Sequence, residues 1–183
     1  GKQITSNMLL DFANDIEDLD TKIEVLKVAA TMDPQDINAR YNLASANQEK
    51  KSYAEAIDYM SEAIALGPNY EHLYLRRAIL KINASQLFSG VIRQKKIVIE
   101  DGKKEGEKKA EEKAPTIDSE ATKLLQDLTN KNKSPNASFR EKNKAKIDGI
   151  LADFDAALKA NPFFIDAYLN RGIFYAMIGE VQK

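Results

Sequence analysis

The sequence has no cysteine and only one histidine, His72. Disulfides and thiolate zinc sites are therefore excluded, and a single imidazole is a poor basis for a His/carboxylate metal cluster. No serine stands in a nucleophile-elbow glycine frame, and residues 101–106 lack the Gly-Lys-Ser/Thr of a phosphate-binding loop. Acidic pairs such as Asp153 and Asp155 are typical of solvated helix faces. We expect no enzyme, no metal and no cofactor.

A one-sided charge is also missing, because 27 basic residues stand against 28 acidic ones. The chain as a whole therefore has no electrostatic attraction for nucleic acid or membrane surfaces. No apolar run approaches the roughly 18 residues that span a bilayer. The chain starts Gly1-Lys2 without a signal-like apolar core and stops at 179–183 where a helix is expected to turn. We expect a fragment of a longer protein, and its localisation stays open.

Glycine and proline are scarce, at eight and five residues, and three of the prolines are regularly placed. Pro34 and Pro68 are 34 residues apart, and Pro162 follows 94 residues later, which is 34 plus an excess of 60. An alanine lies five residues before each proline, and a bulky apolar residue lies eight before. A period of 34 residues predicts a helical repeat array, with about 60 extra residues in one interval.

Residues 37–70 form the clearest unit of this array. Two apolar stripes at helical spacing are separated by the polar turn Lys50-Lys51-Ser52. Ala44, Ala56 and Ala63 allow two antiparallel helices to approach closely. Gly67-Pro68 is expected to end the unit, because glycine tolerates the left-handed conformation and proline cannot continue a helix.

The order of these residues resembles the tetratricopeptide (TPR) repeat. Its pattern of a bulky residue, Leu-Gly/Ala, an aromatic, Ala, a bulky residue, Ala and Pro is met by Tyr41, Leu43-Ala44, Ala56, Met60, Ala63 and Pro68, with Asn47 in place of the aromatic. The resemblance implies an all-α fold, an α-solenoid of antiparallel helix pairs wound into a right-handed superhelix. It also implies protein–protein interaction.

The remaining units are assigned by the same pattern. Residues 3–36 are a degenerate repeat, and 165–183 are the first helix of a further, truncated repeat. Residues 71–84 and 147–164 are the two helices of one repeat split by an insertion at 85–146. The alternative is two repeats, 71–104 and 131–164, with about 26 extra residues between them. It is less favoured because 87–100 lacks the alanine-rich signature and 131–144 contains Pro135 in a very polar stretch.

The insertion has its own pattern. Residues 100–116 hold six acidic and five basic residues and no aromatic, so we expect a solvated loop. A short helix is expected at 118–130. Residues 131–146 carry a local net charge of +5, which is typical of a solvated connector. A contact with nucleic acid or acidic lipid through 131–146 is the less favoured interpretation.

In a stacked array the first helix of each repeat lines a concave groove. Its positions outside the packing pattern are the candidate partner contacts, because Asn offers a donor and an acceptor to a peptide backbone and Arg can fork onto a carboxylate. These contacts are Asn38, Tyr41, Asn42, Ser45, His72, Leu75, Arg76 and Asn170, with Ile79, Asp166, Leu169 and Ile173 as further positions.

One TPR subclass grips the C-terminal carboxylate of heat-shock chaperones through basic and Asn residues. Asn42 and Arg76 match that clamp, but Asn7, Asp11 and His72 do not. The sequence therefore predicts a scaffold or adaptor that binds a protein or peptide in the concave groove and not a chaperone cofactor. The alternative is self-assembly as a homodimer or larger oligomer, through the insertion or the open C-terminal edge.

Overall fold

The computed structural model describes residues 3–87 and 137–179. Within these two ranges the regular structure is entirely helical. The loop expected at 100–116 and the helix expected at 118–130 lie outside the described residues. The helices are α1 (Ser6–Asn14), α2 (Leu19–Met32), α3 (Ile37–Glu49), α4 (Tyr53–Leu66), α5 (Glu71–Ser85), α6 (Ala137–Lys142), α7 (Lys144–Ala160) and α8 (Ile165–Met177).

Local side chains explain several helix starts. The carboxylate of Asp18 accepts from the backbone N–H of Thr21 at 2.8 Å and caps α2, and Asp36 accepts from Asn38 N–H at 2.8 Å and caps α3. Such caps satisfy N–H groups that lack a partner inside the helix. Between α3 and α4 the chain reverses at Lys51, whose φ is 65°, and Ser52 N–H donates to the carbonyl of Asn47 at 2.8 Å.

The helices form a linear array in which each one packs mainly on its neighbours. α1 packs on α2, α2 on α3, α3 on α4 and α4 on α5, and α7 packs on α8. α5 packs extensively on α7, although α6 and the residues outside the described ranges lie between them in the chain. This nearest-neighbour arrangement is that of a helical solenoid.

Side-chain contacts define the direction of the α5–α7 pair. From the C-terminal end of α5 to its N-terminal end, the contacting residues of α7 rise in number. Lys146 of α7 donates to the Ser85 carbonyl, Lys81 donates to the Gly149 carbonyl, Arg77 donates to Asp153, and Asn161, just after α7, donates to Glu71. The two helices are therefore antiparallel.

The core contains the small residues that the repeat pattern singles out. Ala44, Ala56 and Ala63 are fully buried, and Met60 packs with them in one apolar cluster.

Glycine at position 67 was expected to adopt the left-handed conformation. That explanation was wrong, because the φ of Gly67 is −135°. A Cβ at Gly67 would come within 2.5 Å of the Tyr70 ring and 2.7 Å of Ile37, so glycine is needed for space.

The end of the insertion also differs from the sequence-based expectation. Residues 131–146 were expected to be a connector, but Ala137–Lys142 is helical. Helix α7 begins at Lys144, three residues before the expected start at 147. The polar composition concealed this extension, since the apolar side chains that pack in the core begin at Ile147.

Candidate binding groove on the first helices

The candidate groove centres on a contact between α3 and α5. The guanidinium of Arg76 lies over the ring of Tyr41, with its Cζ 5.7 Å from the ring centroid. Its Nη2 donates to Gln48 Oε1 at 3.3 Å. A cation held over an aromatic face is attracted by the ring quadrupole. Two candidate residues from the separate helices α3 and α5 are thus brought together.

The other candidates on α3 share one side of the helix with Tyr41. Asn38, Asn42 and Ser45 are spaced by three or four residues, as expected for neighbours on a helix surface. Asn38 is exposed, whereas Asn42 and Ser45 are half-buried. This side therefore offers amide and hydroxyl groups beside the Tyr41 ring.

His72 lies at the start of α5 and is exposed, with its ring 5.8 Å from that of Tyr70. Its neighbour Glu71 accepts a hydrogen bond from Asn161 Nδ2 at 3.1 Å. That hydrogen bond lowers the pKa of Glu71 below its ordinary value, with smaller help from the Glu71 backbone N–H and the charge of His72.

Leu75 does not present its side chain to the groove. It is 7% exposed and packs in the apolar cluster formed with α7 and α8. Ile79 and Ile173 are partly buried against the same cluster. The physical reason is the free energy gained by removing apolar surface from water, which is larger for these side chains than for the polar side chains beside them.

On α8 the candidate Asn170 is half-buried, and its Nδ2 donates to the Asp166 carbonyl at 2.7 Å. The next residue, Arg171, has its Cζ 5.4 Å from the Tyr168 ring centroid and donates to Asp155 at 2.8 Å. Asp166 and Leu169 are exposed. The last described helix thus repeats the pairing of an arginine with a tyrosine ring.

The chaperone-clamp positions on α1, Asn7 and Asp11, are both exposed. Asp11 carries a negative charge where the clamp has an amide. A peptide carboxylate next to it would meet electrostatic repulsion.

Sequence reasoning missed two features of this region. Gln48, which accepts from Arg76, was not among the candidates, although it lies seven residues after Tyr41 and so on the same side of α3. An open pocket of about 520 Å³ also lies between α2, the C-terminal end of α3 and α4. The available sequence signal was the departure from the repeat pattern at Asn47, which is one of the residues that line this pocket. The lining residues are Asp20, Thr21, Ile23, Glu24, Lys27, Asn47, Lys50, Ser52, Glu55 and Tyr59.

Metal and membrane sites have no support in residues 3–87 and 137–179. These ranges contain no group of three or more His, Asp or Glu side chains placed to hold a metal ion. None of their helices combines the length and hydropathy needed to cross a bilayer.

Comparison with known proteins identifies the fold. No family model and no curated protein matches the chain. Among solved structures, MamA protein has a TM-score of 0.54 at 18% identity, covering 96% of this chain and 64% of its own. TTC0263, a thermophilic TPR protein of Thermus thermophilus, has a TM-score of 0.56 at 17% identity, covering 96% of this chain and 67% of its own.

These likenesses confirm the expectation of an all-α solenoid of the tetratricopeptide type. At such low identity they show the fold alone. The chain spans about two thirds of the length of these two proteins.

Proposed function

We propose that this chain, which has the fold of TPR proteins, is a protein-interaction scaffold that binds a peptide or a partner helix along its first helices. The observation that carries the proposal is the placement of Arg76 against Tyr41 and Gln48. That contact puts a cation, an aromatic face and an amide at one point between two repeats.

The chemistry of this surface favours a ligand with a carboxylate. Arginine binds carboxylates through paired N–H donors, and the bound carboxylate would take the place of Gln48. Asn38 and Asn42 would hydrogen-bond the backbone of an extended peptide. We leave Leu75 out of the proposed surface because it belongs to the core.

The repeats that build this surface are proposed as the sequence divides them. Residues 3–36 and 37–70 are the first two, and 165–183 begin the last. The third consists of 71–84 and 147–164, and the antiparallel contact of α5 with α7 supports this division.

The test is a selection of random phage-displayed peptides on the chain. We expect acidic peptides whose binding is lost in Asn42→Ala/Arg76→Ala. Lys159→Ala is the control, because Lys159 is an exposed cation on the second-helix side of the third repeat. Peptides that bind the double variant as well as the parent would remove the groove proposal.

Self-assembly is a second candidate, favoured by the distribution of exposed apolar side chains. Apart from Tyr70, every exposed large apolar side chain of the described residues lies at one of the two ends of the array. At one end these are Ile4, Met8, Phe12, Val28 and Met32, and at the other Phe163, Ile165, Tyr168 and Leu169. Apolar groups gathered in this way mark interaction surfaces.

Light scattering over a concentration series tests this candidate. We expect Phe163→Ser/Ile165→Ser to be monomeric at concentrations where the parent associates. Tyr70→Ser, an exposed site in the middle of the array, should associate as the parent does. A parent chain that stays monomeric throughout the series would exclude assembly through these ends.

The nucleic-acid and acidic-lipid interpretation has less support. Within its described part, Lys144 pairs with Asp148 and Lys146 reaches the Ser85 carbonyl. Both lysines are exposed, but each already has an intramolecular partner.

A further inference from the structure

An ion cluster around the buried carboxylate of Asp153 joins α5 to α7, and its two cations, Arg77 and Lys81, are partly buried. Asp153, 2% exposed, accepts from Arg77 Nη2 at 2.7 Å and from Arg77 Nε at 3.1 and 3.2 Å. Lys81 Nζ lies 2.7 Å from the other carboxylate oxygen. Arg77 Nη1 also donates to Ser61 Oγ of α4 at 3.0 Å. One carboxylate is thus shared by two cations. The interpretation of Asp153 as a solvated residue was therefore wrong.

The uninterrupted units have no such charges at the corresponding positions. Counting back 34 residues from Arg77 and Lys81, and 94 from Asp153, gives Leu43, Asn47 and Tyr59. A further step of 34 residues gives Leu9, Ala13 and Val25. The charged set therefore coincides with the unit whose two helices are separated in sequence.

The connection between the helices differs in the same way. α3 and α4 are joined by three residues, and a turn this short favours packing of α4 beside α3. α5 ends at Ser85 and α7 begins at Lys144, so chain connectivity places little restriction on which helix α5 meets or in which register.

Charged side chains supply the missing restriction. Arg77 and Lys81 lose hydration when a helix covers them. That loss is compensated only if the covering helix places a carboxylate directly opposite the two cations. A partner helix shifted by one turn, about 5.4 Å, would bury both cations without Asp153. Wrong pairings are therefore penalised, whereas an apolar set would accept several.

We propose that Arg77, Lys81 and Asp153 form a pairing lock, which selects α7 as the partner of α5 and sets their register in place of a short turn. The lock acts within the fold and is independent of what the groove binds. It predicts that pairing specificity, and not only stability, depends on the three charges.

The absence of native cysteine allows a direct test. Spin labels on Ala84→Cys and Ala152→Cys, at exposed sites of α5 and α7, report the distance between the two helices in the full chain. The parent should give one narrow distance. Arg77→Leu/Lys81→Asn/Asp153→Tyr, which carries the side chains of the uninterrupted unit, should remain helical but give a second distance.

A second variant keeps the test decisive if the triple variant does not fold. Asp153→Asn preserves shape but leaves the cations without their counter-charge. Under folding conditions it should also show a second population. A single parental distance in the folded triple variant, or in the folded fraction of Asp153→Asn if the triple variant is unfolded, would overturn the lock.

Discussion

The guanidinium of Arg76 lies over the ring of Tyr41, at 5.7 Å from its centroid, and so connects α5 to α3. This contact fixes the cation at the centre of the candidate groove, because its Nη2 is also held by Gln48. A preorganised cation loses little side-chain entropy when a ligand binds.

Arg76→Ala should weaken binding of a selected acidic peptide by about tenfold or more, since truncating an arginine hot spot at the centre of an interface costs about 2 kcal/mol or more, and about 1.4 kcal/mol is tenfold. Titration calorimetry measures the affinity. Lys159→Ala is the matched control and should bind as the parent does. Equal affinities in all three proteins would contradict a role for Arg76.

Gly67→Ala should destabilise the chain by about 1–3 kcal/mol, because the added methyl would overlap the Tyr70 ring and Ile37. Urea unfolding followed by circular dichroism measures the change. Gly172 of α8 offers the control, since a Cβ there meets nothing within 4 Å. Gly172→Ala should stabilise by up to about 1 kcal/mol through helix propensity. A neutral Gly67→Ala would show that the turn has room.

Asp153→Ala and Asp155→Ala should differ sharply although both aspartates lie on α7 and both bind an arginine. Removing buried Asp153 leaves two cations without a counter-charge and should cost about 3–5 kcal/mol. Asp155 is 65% exposed, so losing its pair with Arg171 should cost at most about 1 kcal/mol. If both variants lose a similar free energy of unfolding in urea, the ion pairs of Asp153 contribute no more to stability than the exposed pair of Asp155.

The fold was predictable because its signals are local and periodic. The spacing of Pro34 and Pro68 and the alanines before them indicated the helix pairs without any long-range information. The choice of Tyr41 and Arg76 as candidate positions followed from the same spacing, but their contact with each other was not predicted. The burial of Leu75 could not be predicted from this spacing, because it depends on the packing of α7 and α8 against its side chain.

The role of Asp153 was not predictable for a related reason. An Asp-x-Asp pair on a helix is usually solvated, and only the approach of Arg77 from α5 makes one member buried. That approach depends on a pairing across residues 86–143, which no local pattern reports. α6 was missed because its polar composition gives no helical stripe.

The hydrogen bond from Asn161 to Glu71 makes a pH-dependent contribution to stability. It lowers the pKa of Glu71 in the folded state below the ordinary value of 4.5. The contribution is therefore complete above about pH 5 and is lost as the pH falls through the folded pKa. In Asn161→Ala the Glu71 pKa, measured by carboxyl carbon NMR, should move up towards 4.5. An unchanged pKa would assign the shift to His72 or to the backbone.

Cleavage between α5 and α7 tests the proposed division of the third unit. A protease site introduced near Gly102 places the cut in the sequence between α5 and α7. If 71–84 and 147–164 form one unit, the two fragments should elute together at the parental mass, because α5–α7 contacts hold them. Their unfolding midpoint should then depend on concentration, as for any associated pair.

After the same cut, the fragments of Asp153→Ala should already separate at protein concentrations where the parental fragments stay associated, since the ion cluster contributes to the contact that holds them. Asp155→Ala, cut in the same way, should remain associated. Separation of the parental fragments under native conditions would show that α5 and α7 need their covalent connection, and the alternative division into 71–104 and 131–164 would then be favoured. If the parental fragments stay associated and those of Asp153→Ala separate, the result would support a third unit made of 71–84 and 147–164.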